Sequence, residues 1–464
     1  MLRQAGEFCT RLSREYIPNP FIFAIILTII VYILGLLLTP SGPFELVQHW
    51  YGGFWNLLTF SMQMVVILLF GYVLAASPPA RRIISHAAKL PRNAGQAIAL
   101  ITVLAIVFGY ISWGLGLIIG AISAREICAA AKARGIRVHY PLAAAAGFTG
   151  LIIFNTGFSA SAPLLVNTQG HFLMDEIGLI PVSETILSPA NLVTFVAFLL
   201  IIPIVYRRMH PRPEETEEIT DAQAGHGTDP ESGELAAVGA LMDQKTVATA
   251  QARLTVAERL EQAPLLSLIV VISGFAYVGY HFYTHGVDLN LNIVNFILLI
   301  VGMLAYKTPM AYVKAVDDAI GACGQIVLQF PFYAGIMGIM ASSGLVAIFA
   351  EWLVAVSNQY TLPITTLISA AIVNLAVPSA GGQWAVQGPL LMEAAKTLQA
   401  DLGVIIMAFS YGDQLTNGIQ PMWMLPLLGV TALKAREIMG YTAVMMMVAF
   451  VIFSIGLVIL PLIL

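Results

Sequence analysis

The chain has 464 residues, of which 58% are hydrophobic and only 10% charged, and its formal net charge is -4. Soluble domains carry about a quarter charged residues, so this composition excludes a soluble fold of this length and predicts an integral membrane protein. The acidic balance argues against nucleic acid as a partner. Cys9, Cys128 and Cys323 are far apart and are typical of small buried side chains.

Apolar runs long enough to cross a hydrocarbon core of about 30 Å predict nine membrane spans. The first run follows a basic stretch and two prolines, with no small-residue cleavage site of a signal peptide behind it. The spans lie near 20–38, 57–77, 141–166, 191–206, 264–282, 292–306, 323–342, 403–430 and 439–464.

Two further apolar stretches, 93–124 and 361–392, are too long for one crossing and are interrupted in the middle. Either would reach about 48 Å as one straight helix. The interruptions read FGYISWGLG at 108–116 and VPSAGGQW at 377–384. Because glycine, serine and proline end helices, both stretches are predicted to be re-entrant hairpins.

The distribution of basic residues predicts the orientation. Clusters at 81–92 and 125–137 flank the first hairpin on both sides, so the positive-inside rule places both flanks in the cytoplasm. With a cytoplasmic N-terminus and nine crossings, all of the 22 Lys and Arg except Lys396 lie inside or at the inner boundary. The C-terminus then lies outside a bacterial cytoplasmic (inner) membrane.

A soluble segment, 207–262, separates a first transmembrane half at 1–206 from a second at 263–464. Its acidic beginning is poor in apolar residues and predicts a disordered cytoplasmic linker. His210 and His226 are there expected to be solvated and not to bind a metal. Thr255 and Glu258 then form a capping-box pattern, which predicts a short helix.

Four features recur in the same order in both halves and indicate an internal repeat. LAAS at 74–77 resembles MASS at 340–343, and Ser112 corresponds to Ser379. The span after each hairpin is itself interrupted, by FNTGFSASAP in the first half and LTNGIQPMWMLP in the second, which pairs Gly157 with Gly418. Five spans separate the start of the first unit from the start of the second. Because this number is odd, the second unit is predicted to be inverted, as in many transporters. Close helix packing is the alternative explanation for each motif alone.

The hairpin tips are candidate substrate sites, because helix N-termini attract anions. No Lys or Arg lies deep in a span, which favours one small carboxylate over a highly charged anion, and Phe158, Met422 and Trp423 could hold a short apolar tail. The candidate substrate-binding residues are Ser112, Trp113, Gly114, Ser159, Ser379, Ala380, Gly381, Gly382 and Gln383.

Asp413 lies deep inside a predicted span, where an acid is costly and usually functional; a purely structural acid is the alternative. Hard oxygen ligands around it suit Na⁺, or Asp413 carries a proton. The candidate ion-coupling residues are Asn155, Thr156, Asp413, Thr416 and Asn417. No other metal and no cofactor is expected.

The sequence contains no nucleotide-binding loop and no protease, esterase or zinc-enzyme motif, so no enzyme activity is predicted. An intramembrane enzyme and a passive channel are the alternatives from other classes of protein. An intramembrane enzyme needs a nucleophile with a base or metal ligands facing each other, and a passive channel has less use for a buried acid.

VPSAGGQWAVQGPLL (377–391), SYGDQLTNGIQPMWMLPLLG (410–429), FNTGFSASAPL (154–164) and NPFIFAIILT near the start resemble the bacterial short-chain fatty acid transporters. That family is similar to the wider ion transporter superfamily, which includes dicarboxylate/Na⁺ symporters with two hairpins and Ser-Asn-Thr motifs. This sequence has Ser-Trp-Gly at 112–114 and Ser-Ala-Gly at 379–381 instead.

The resemblance implies uptake of acids such as butyrate or acetoacetate, a homodimer and an elevator-like motion. The function predicted here is symport of short-chain monocarboxylates with H⁺ or Na⁺. The alternative is a symporter of dicarboxylates or other organic anions with Na⁺.

Overall fold

A computed structural model describes residues 20–225, 255–459 and 461, and the regular structure of these residues consists of helices alone. In the first half they are α1 (Pro20–Leu38), α2 (Pro43–Gly53), α3 (Leu58–Ala75), α4 (Pro78–Ala87), α5 (Ala94–Ile111), α6 (Trp113–Lys132), α7 (Tyr140–Gly147), α8 (Ser161–Val166), α9 (Met174–Ile177) and α10 (Pro189–Arg208). The linker contains α11 (Asp221–Gly225) and α12 (Val256–Glu261). The second half contains α13 (Pro264–His285), α14 (Leu291–Tyr306), α15 (Pro309–Ala319), α16 (Gly324–Ser343), α17 (Leu345–Ala355), α18 (Leu362–Ala376), α19 (Ala380–Leu398), α20 (Leu402–Leu415), α21 (Pro421–Thr431) and α22 (Ala435–Val458). The predicted all-α membrane fold is confirmed.

Within the described part of the chain, nine helical stretches are long and apolar enough to cross a membrane. Seven coincide with predicted spans, and the other two are the arms of the first hairpin, α5 and α6. By length these arms reach about 27 and 30 Å. The predicted spans at 292–306 and 403–430 form a shorter helix, α14, and a broken pair, α20 and α21.

Apart from α9 in the first half and α13 in the second, the two halves contain the same elements in the same order. Each half begins with an apolar helix (α1, α14), which is followed by an 11-residue helix (α2, α15), a long helix (α3, α16) and a short helix (α4, α17). A hairpin (α5–α6, α18–α19) and a broken span (α7–α8, α20–α21) come next. Each half ends with a long helix (α10, α22). The packing is reciprocal: α1 and α2 contact α16, while α14 and α15 contact α3. The helices that carry LAAS and MASS end at these motifs, since α3 ends at Ala75 and α16 at Ser343.

Both ends of the first hairpin lie beside the linker. A Cβ added at Gly95, near the start of α5, would stand 2.8 Å from the Arg207 side chain, which precedes the linker. Lys132, at the end of α6, donates to Asp221 Oδ1 at 2.7 Å. The chain therefore enters and leaves this hairpin on one side, as predicted.

The second hairpin begins and ends at the opposite side. Helix α22 connects the two ends of the molecule. Near its start, the Tyr441 hydroxyl lies 3.0 Å from His139 Nε2 beside the linker, and Leu457 lies near its other end. Leu457 lines a cavity together with Asp401, which follows α19 and precedes α20. Hairpins that open to opposite ends of α22 are what an inverted repeat requires. The cytoplasmic location of the linker side stays a prediction.

Burial separates the centre of the molecule from its periphery. In the apolar part of the first broken span, Tyr140–Val166, 94% of the residues are buried inside the protein. In the apolar parts of α1 and of the stretch Val256–His285, only 17% are buried. Apolar helices that remain exposed to this degree suit contact with lipid. The broken spans therefore form the core, and any site built on them is shielded from the bilayer.

The start of the linker is ordered, which corrects the prediction of a disordered segment up to residue 225. Its acidic residues bind the basic end of the first hairpin: Arg137 Nε donates to Glu218 Oε1 at 2.7 Å. His210 is not simply solvated, because its Nε2 accepts from the His139 backbone N–H at 3.1 Å. Residues 226–254, with His226, lie outside the described residues, as does Cys9.

The remaining linker prediction is confirmed at residue level. Thr255 and Glu258 form the predicted capping box at the start of α12, with side chain to backbone bonds in both directions. Cys128 and Cys323 are free and buried, as expected for small apolar side chains.

Candidate transport site

The two broken spans meet at the centre of the molecule. Each is interrupted by 3₁₀ turns, at Phe148–Ile152 and Phe154–Thr156 in the first span and at Thr416–Ile419 in the second. Such turns leave backbone groups without α-helical partners. Here, backbone groups of the first broken span bind side chains of the second: Asn155 N–H donates to Gln414 Oε1 at 2.8 Å, and the Leu151 carbonyl accepts from Asn417 Nδ2 at 3.1 Å.

Asp413 lies at this contact and is 1% exposed. Asn155 Nδ2 donates to its Oδ2 at 2.6 Å, while Asn155 Oδ1 accepts from Ser161 N–H at 3.1 Å. Its Oδ1 has no hydrogen-bond partner in the described structure, and no ion pair joins it to a cationic side chain there. A buried carboxylate without a counter-charge is costly. One oxygen of Asp413 is thus available for a proton or a cation.

Thr416 and Asn417 belong to a neighbouring group that ties the second hairpin to its broken span. Asn374, in α18, donates to Thr416 Oγ1 and to Asn417 Oδ1, both at 3.0 Å. Gln420 Nε2 in turn donates to the carbonyls of Asn374 and Leu375. The predicted ion-coupling residues therefore fall into two groups, one around Asp413 and one around Asn374.

Thr156, the remaining predicted ion ligand, is engaged locally. Its Oγ1 donates to the Ile153 carbonyl at 2.6 Å, and its own carbonyl accepts from Asn191 Nδ2 at 2.9 Å. The described residues contain no group of three or more His, Cys, Asp or Glu that could hold a metal ion.

At the first hairpin tip, Ser112 and Ser159 occupy different surroundings. The Trp113 backbone N–H donates to Ser159 Oγ at 2.9 Å, so the freed donor of the returning arm is satisfied from the broken span. Ser112 is fully buried and faces Gly71 of α3, where an added Cβ would stand 2.5 Å from Ser112 Oγ. Gly114 packs against Tyr72 of the same helix. Ser112 therefore contacts α3 more directly than it contacts the broken spans.

At the second tip, Ser379 is the N-cap of α19 and accepts from Gly382 N–H at 3.3 Å. Ala380 is half-buried. Gln383 Nε2 donates to the Ala370 carbonyl at 2.8 Å, and Gln383 Oε1 has no partner among the residues described. Ser379 thus caps α19, and most of the polar capacity at this tip is used within the hairpin.

The two tips touch α3 at different levels. A Cβ at Gly381 would stand 3.0 Å from Phe60 and 3.3 Å from Met64, whereas Gly114 and Ser112 lie near Tyr72 and Gly71. Met64 and Gly71 are seven residues apart, or about 10 Å along the helix. The two tips, each a candidate substrate site, therefore contact α3 at separate levels in this structure.

Aromatic side chains from both halves line the first tip. The rings of Trp113 and Trp423 cross at 5.4 Å between centroids, and Phe154 lies 6.4 Å from Trp113. Phe158, predicted to hold an apolar tail, packs on Tyr110 instead. The apolar wall next to the tip is therefore formed by Trp113, Phe154 and Trp423.

Sequence reasoning missed Gln414, Asn374, Gln420 and Asn191, all of which are buried amides at the breaks. Gln414, Asn374 and Gln420 carry a signal in the sequence, since each is a polar residue inside an interrupted apolar stretch, whereas Asn191 lies at the start of an uninterrupted span. An amide in such a position needs partners of its own, and the freed backbone groups of a broken helix supply them.

Paired broken helices, two hairpins that open to opposite ends and a buried polar group with a single carboxyl are an arrangement typical of membrane transporters. The profile of the family described as short chain fatty acid transporter matches residues 1–460. The chain belongs to this family.

Curated relatives support the assignment over the full length. A protein of Escherichia coli (strain K12), provisionally named short-chain fatty acid transporter, is 39% identical over 461 residues, covering 98% of this chain and 99% of that protein. A relative from Haemophilus influenzae with the same provisional name is 37% identical over 464 residues, with coverages of 98% and 99%. These proteins and the family are transporters and not enzymes.

The fold resembles that of a solved transporter. The crystal structure of the Alcanivorax borkumensis YdaH transporter, whose topology is described as unusual, aligns with a TM-score of 0.55 and 15% identity. It covers 96% of this chain and 97% of its own. At this identity the likeness concerns the fold alone.

Proposed function

We propose that this protein moves short-chain monocarboxylates, such as butyrate or acetoacetate, across the bacterial cytoplasmic membrane in symport with H⁺ or Na⁺. The observation that carries the proposal is Asp413. It is buried where the two broken spans exchange hydrogen bonds, and one of its oxygens has no partner in the described structure. A site of this kind binds a cation or a proton and loses its charge when it does so.

The same site supplies a reason for coupling. Moving an anion through the low-dielectric interior is costly unless a cation moves with it. In our proposal the coupling ion neutralises Asp413, and the carboxylate binds near the first tip, where Trp113, Phe154 and Trp423 accommodate a short alkyl chain. The described hydrogen-bond partners at the breaks include no Lys or Arg, which weighs against a dicarboxylate as substrate.

The orientation and assembly belong to the same proposal. The positive-inside distribution supports a cytoplasmic N-terminus and linker with the C-terminus outside. The family resemblance supports a homodimer.

Uptake of radiolabelled butyrate into proteoliposomes tests the proposal, with a Na⁺ gradient and a pH gradient imposed separately. Saturable accumulation driven by one gradient is expected for the wild type. Asp413→Asn keeps the size of the side chain and should lose the drive, because the amide cannot carry a proton or neutralise a cation. Asp175→Asn, an exposed acid in α9, is the matched control and should transport normally.

Two outcomes would contradict the proposal. Absence of uptake under either gradient, with acetoacetate and dicarboxylates tested next, would point to another substrate. Full coupling in Asp413→Asn would remove this residue from the coupling step. The site itself is tested by single replacements of Ser112, Ser379, Asn155 and Asn417 with alanine, and normal uptake in all four would exclude it.

A further inference from the structure

A cavity of about 230 Å³ opens at the end of the molecule opposite the linker. It lies between the starts of α10 and α20 and the end of α22, and its lining includes Glu184, Asn191, Asp401, Met407 and Tyr411. With about 30 Å³ of liquid volume per water, it has room for roughly seven waters or for one hydrated small cation. None of the site residues predicted from the sequence lines this cavity.

The charges around the cavity select the sign of its occupant. Glu184 and Asp401 are exposed at its rim, and its lining contains no Lys, Arg or His. Asp401 Oδ1 also caps α20 by accepting from Val404 N–H at 2.9 Å. Two negative charges with no positive one concentrate cations and repel a carboxylate. The cavity therefore does not suit the anionic substrate.

The floor of the cavity is a hydrogen-bonded pair. The Tyr411 hydroxyl donates to Asn191 Oδ1 at 2.8 Å, and Asn191 Nδ2 donates to the carbonyls of Thr156 and Ile186 at 2.9 and 2.6 Å. This pair joins α20 to α10 and to the first break. Both side chains are almost completely buried, at 2% and 1% exposure, so they close the cavity from below.

Directly behind the floor lies a polar side chain with unused hydrogen-bonding capacity. Val404, Met407, Tyr411 and Gln414 are spaced by three, four and three residues, which puts them on one face of α20, with Gln414 about a turn deeper than Tyr411. Gln414 is fully buried, and its Nε2 has no partner among the described residues. Its Oε1 accepts from the backbone of Asn155, the residue that binds Asp413.

We propose that this cavity is the access vestibule for the coupling cation, and that the Tyr411–Asn191 hydrogen bond is the barrier between the vestibule and the Asp413 site. The inference rests on the proposed function, because it presupposes a coupled cation. The free donor of Gln414 suits the oxygen of a water that accompanies the cation once the barrier opens. The carboxylate substrate takes a different route, since the rim repels it.

The first test reads the vestibule without transport. Val404→Cys places a thiol on its wall in a background where Cys9, Cys128 and Cys323 are alanine. We expect a cationic methanethiosulfonate to react faster than an anionic one. Each rim charge about 10 Å away in water changes the rate of either reagent by roughly a factor of two, in opposite directions for the two reagents, so Glu184→Gln with Asp401→Asn should lower the rate ratio about sixteenfold. Asparagine at position 401 still caps the helix.

Glu176→Gln is the control for this test, because Glu176 is an exposed acid in the same connection that does not line the cavity. It should leave the rate ratio unchanged. An unreactive thiol at position 404, or a rate ratio that the double replacement leaves unchanged, would overturn the inference.

The second test connects the vestibule to coupling. In proteoliposomes, the rim double variant should raise the half-saturating concentration of the driving cation about fourfold while KM for butyrate stays constant. Tyr411→Phe should let the cation leak without butyrate. Tyr206→Phe removes a buried hydroxyl of α10 that donates to the Ala145 carbonyl away from the cavity, and should not leak.

The outcomes separate the two claims. An unchanged half-saturating cation concentration in the rim variant, with normal coupling in the wild type, overturns the vestibule alone. A wild type whose uptake depends on no cation overturns the proposed function and the vestibule with it. The labelling ratio then shows whether the cavity was nevertheless open and cation-selective.

Discussion

The two hairpins occupy equivalent places in the repeat but are closed by different means. In the first, the arms touch through their backbones, since Gly109 and Gly116 pack against each other. In the second, the arms are bridged by side chains: Gln383 Nε2 donates to the Ala370 carbonyl, and Gln387 Nε2 donates to Ser369 Oγ at 3.0 Å. Glycine contacts leave no room for adjustment, whereas amide bridges can exchange partners at about 1 kcal/mol each.

The surroundings of the two hairpins extend this contrast. The first is enclosed by the broken span of its own half, where Gly109 meets Gly150 and Gly120 meets Gly147. Its base is also fastened to the linker. The second packs through α18 on α20, and the tip is held by the Ser379 cap. We therefore expect the first hairpin to be a fixed part of the transporter and the second to be the part whose arms move.

The strongest test of the contrast is a side chain placed between the first hairpin and the broken span that encloses it. A Cβ added at Gly109 would stand 2.6 Å from Gly150 Cα and its carbonyl oxygen, so neither backbone can yield. Gly109→Val should abolish the folded protein, because overpacking of this kind costs several kcal/mol. The measurement is the yield of monodisperse protein after extraction, followed by thermal unfolding.

The control is Gly279→Val, at an exposed position of α13 where an added Cβ would meet nothing within 4 Å. It introduces the same β-branched residue in the middle of an apolar helix. Equal yields of Gly109→Val and Gly279→Val would mean that the first hairpin is not in direct contact with its broken span.

A smaller effect is expected in the second hairpin. Gln387→Leu removes the bonds to Ser369 and Gln383 and should lower the free energy of unfolding by about 1–2 kcal/mol without preventing folding. Thermal unfolding of the purified protein measures the change. Gln48→Leu, at an exposed position of α2, is the control. A loss as large as that of Gly109→Val would show that both hairpins are equally rigid.

Much of this architecture was predictable because it follows from length and periodicity. Apolar runs fixed the spans, and interrupted stretches too long for one crossing indicated the hairpins. The break of each broken span fell at the glycine-containing motifs, and Asp413 was recognisable because an acid inside a span rarely lacks a role. These features are local, so no knowledge of the neighbours was needed.

The remaining features depend on contacts between distant parts of the chain. Ser112 could not be known to face Gly71, and an amide such as Asn374 cannot be told from a packing residue until its partners are known. The start of the acidic linker, up to residue 225, is ordered for the same reason: its composition is that of a disordered segment, but Lys132 and Arg137 supply opposite charges for it.

The linker fastening should weaken in acid. His139, just outside the membrane-spanning segments, accepts from Glu217 N–H at 3.0 Å, so its Nδ1 must be unprotonated. Burial, with His210 nearby, lowers the pKa of His139 to about 4, from 6.5. Between pH 4 and pH 6.5, His139 binds more protons when the linker is detached from it than when the linker is docked. The linker is therefore fully docked above about pH 6.5, and docking is lost as the pH falls toward 4.

Hydrogen exchange of residues 213–221, corrected for the intrinsic rate, measures this loss. Protection should fall about tenfold between pH 7 and pH 5. In His139→Gln the dependence should disappear, because a neutral amide replaces the titrating ring. The same pH dependence in that variant would assign the effect to another group and would leave the fastening of the first hairpin without its switch.

The smallest effect is expected for the exposed ion pair at the same base. Lys132 Nζ lies 2.7 Å from Asp221 Oδ1, and this contact lowers the pKa of Asp221. The ion pair therefore stabilises the docked linker at pH values above the usual pKa of a carboxyl group, and this contribution is lost at lower pH. Exposed pairs are weak and screened by salt. Asp221→Asn should therefore change the protection of residues 213–221 by less than about twofold at physiological salt.

Because Lys132 also donates to the Ile219 carbonyl at 2.9 Å, the fastening should survive this change, whereas Lys132→Met removes both bonds and should loosen it. Equal losses in the two variants would mean that the charge of Asp221, and not the backbone contact, holds the linker to the first hairpin.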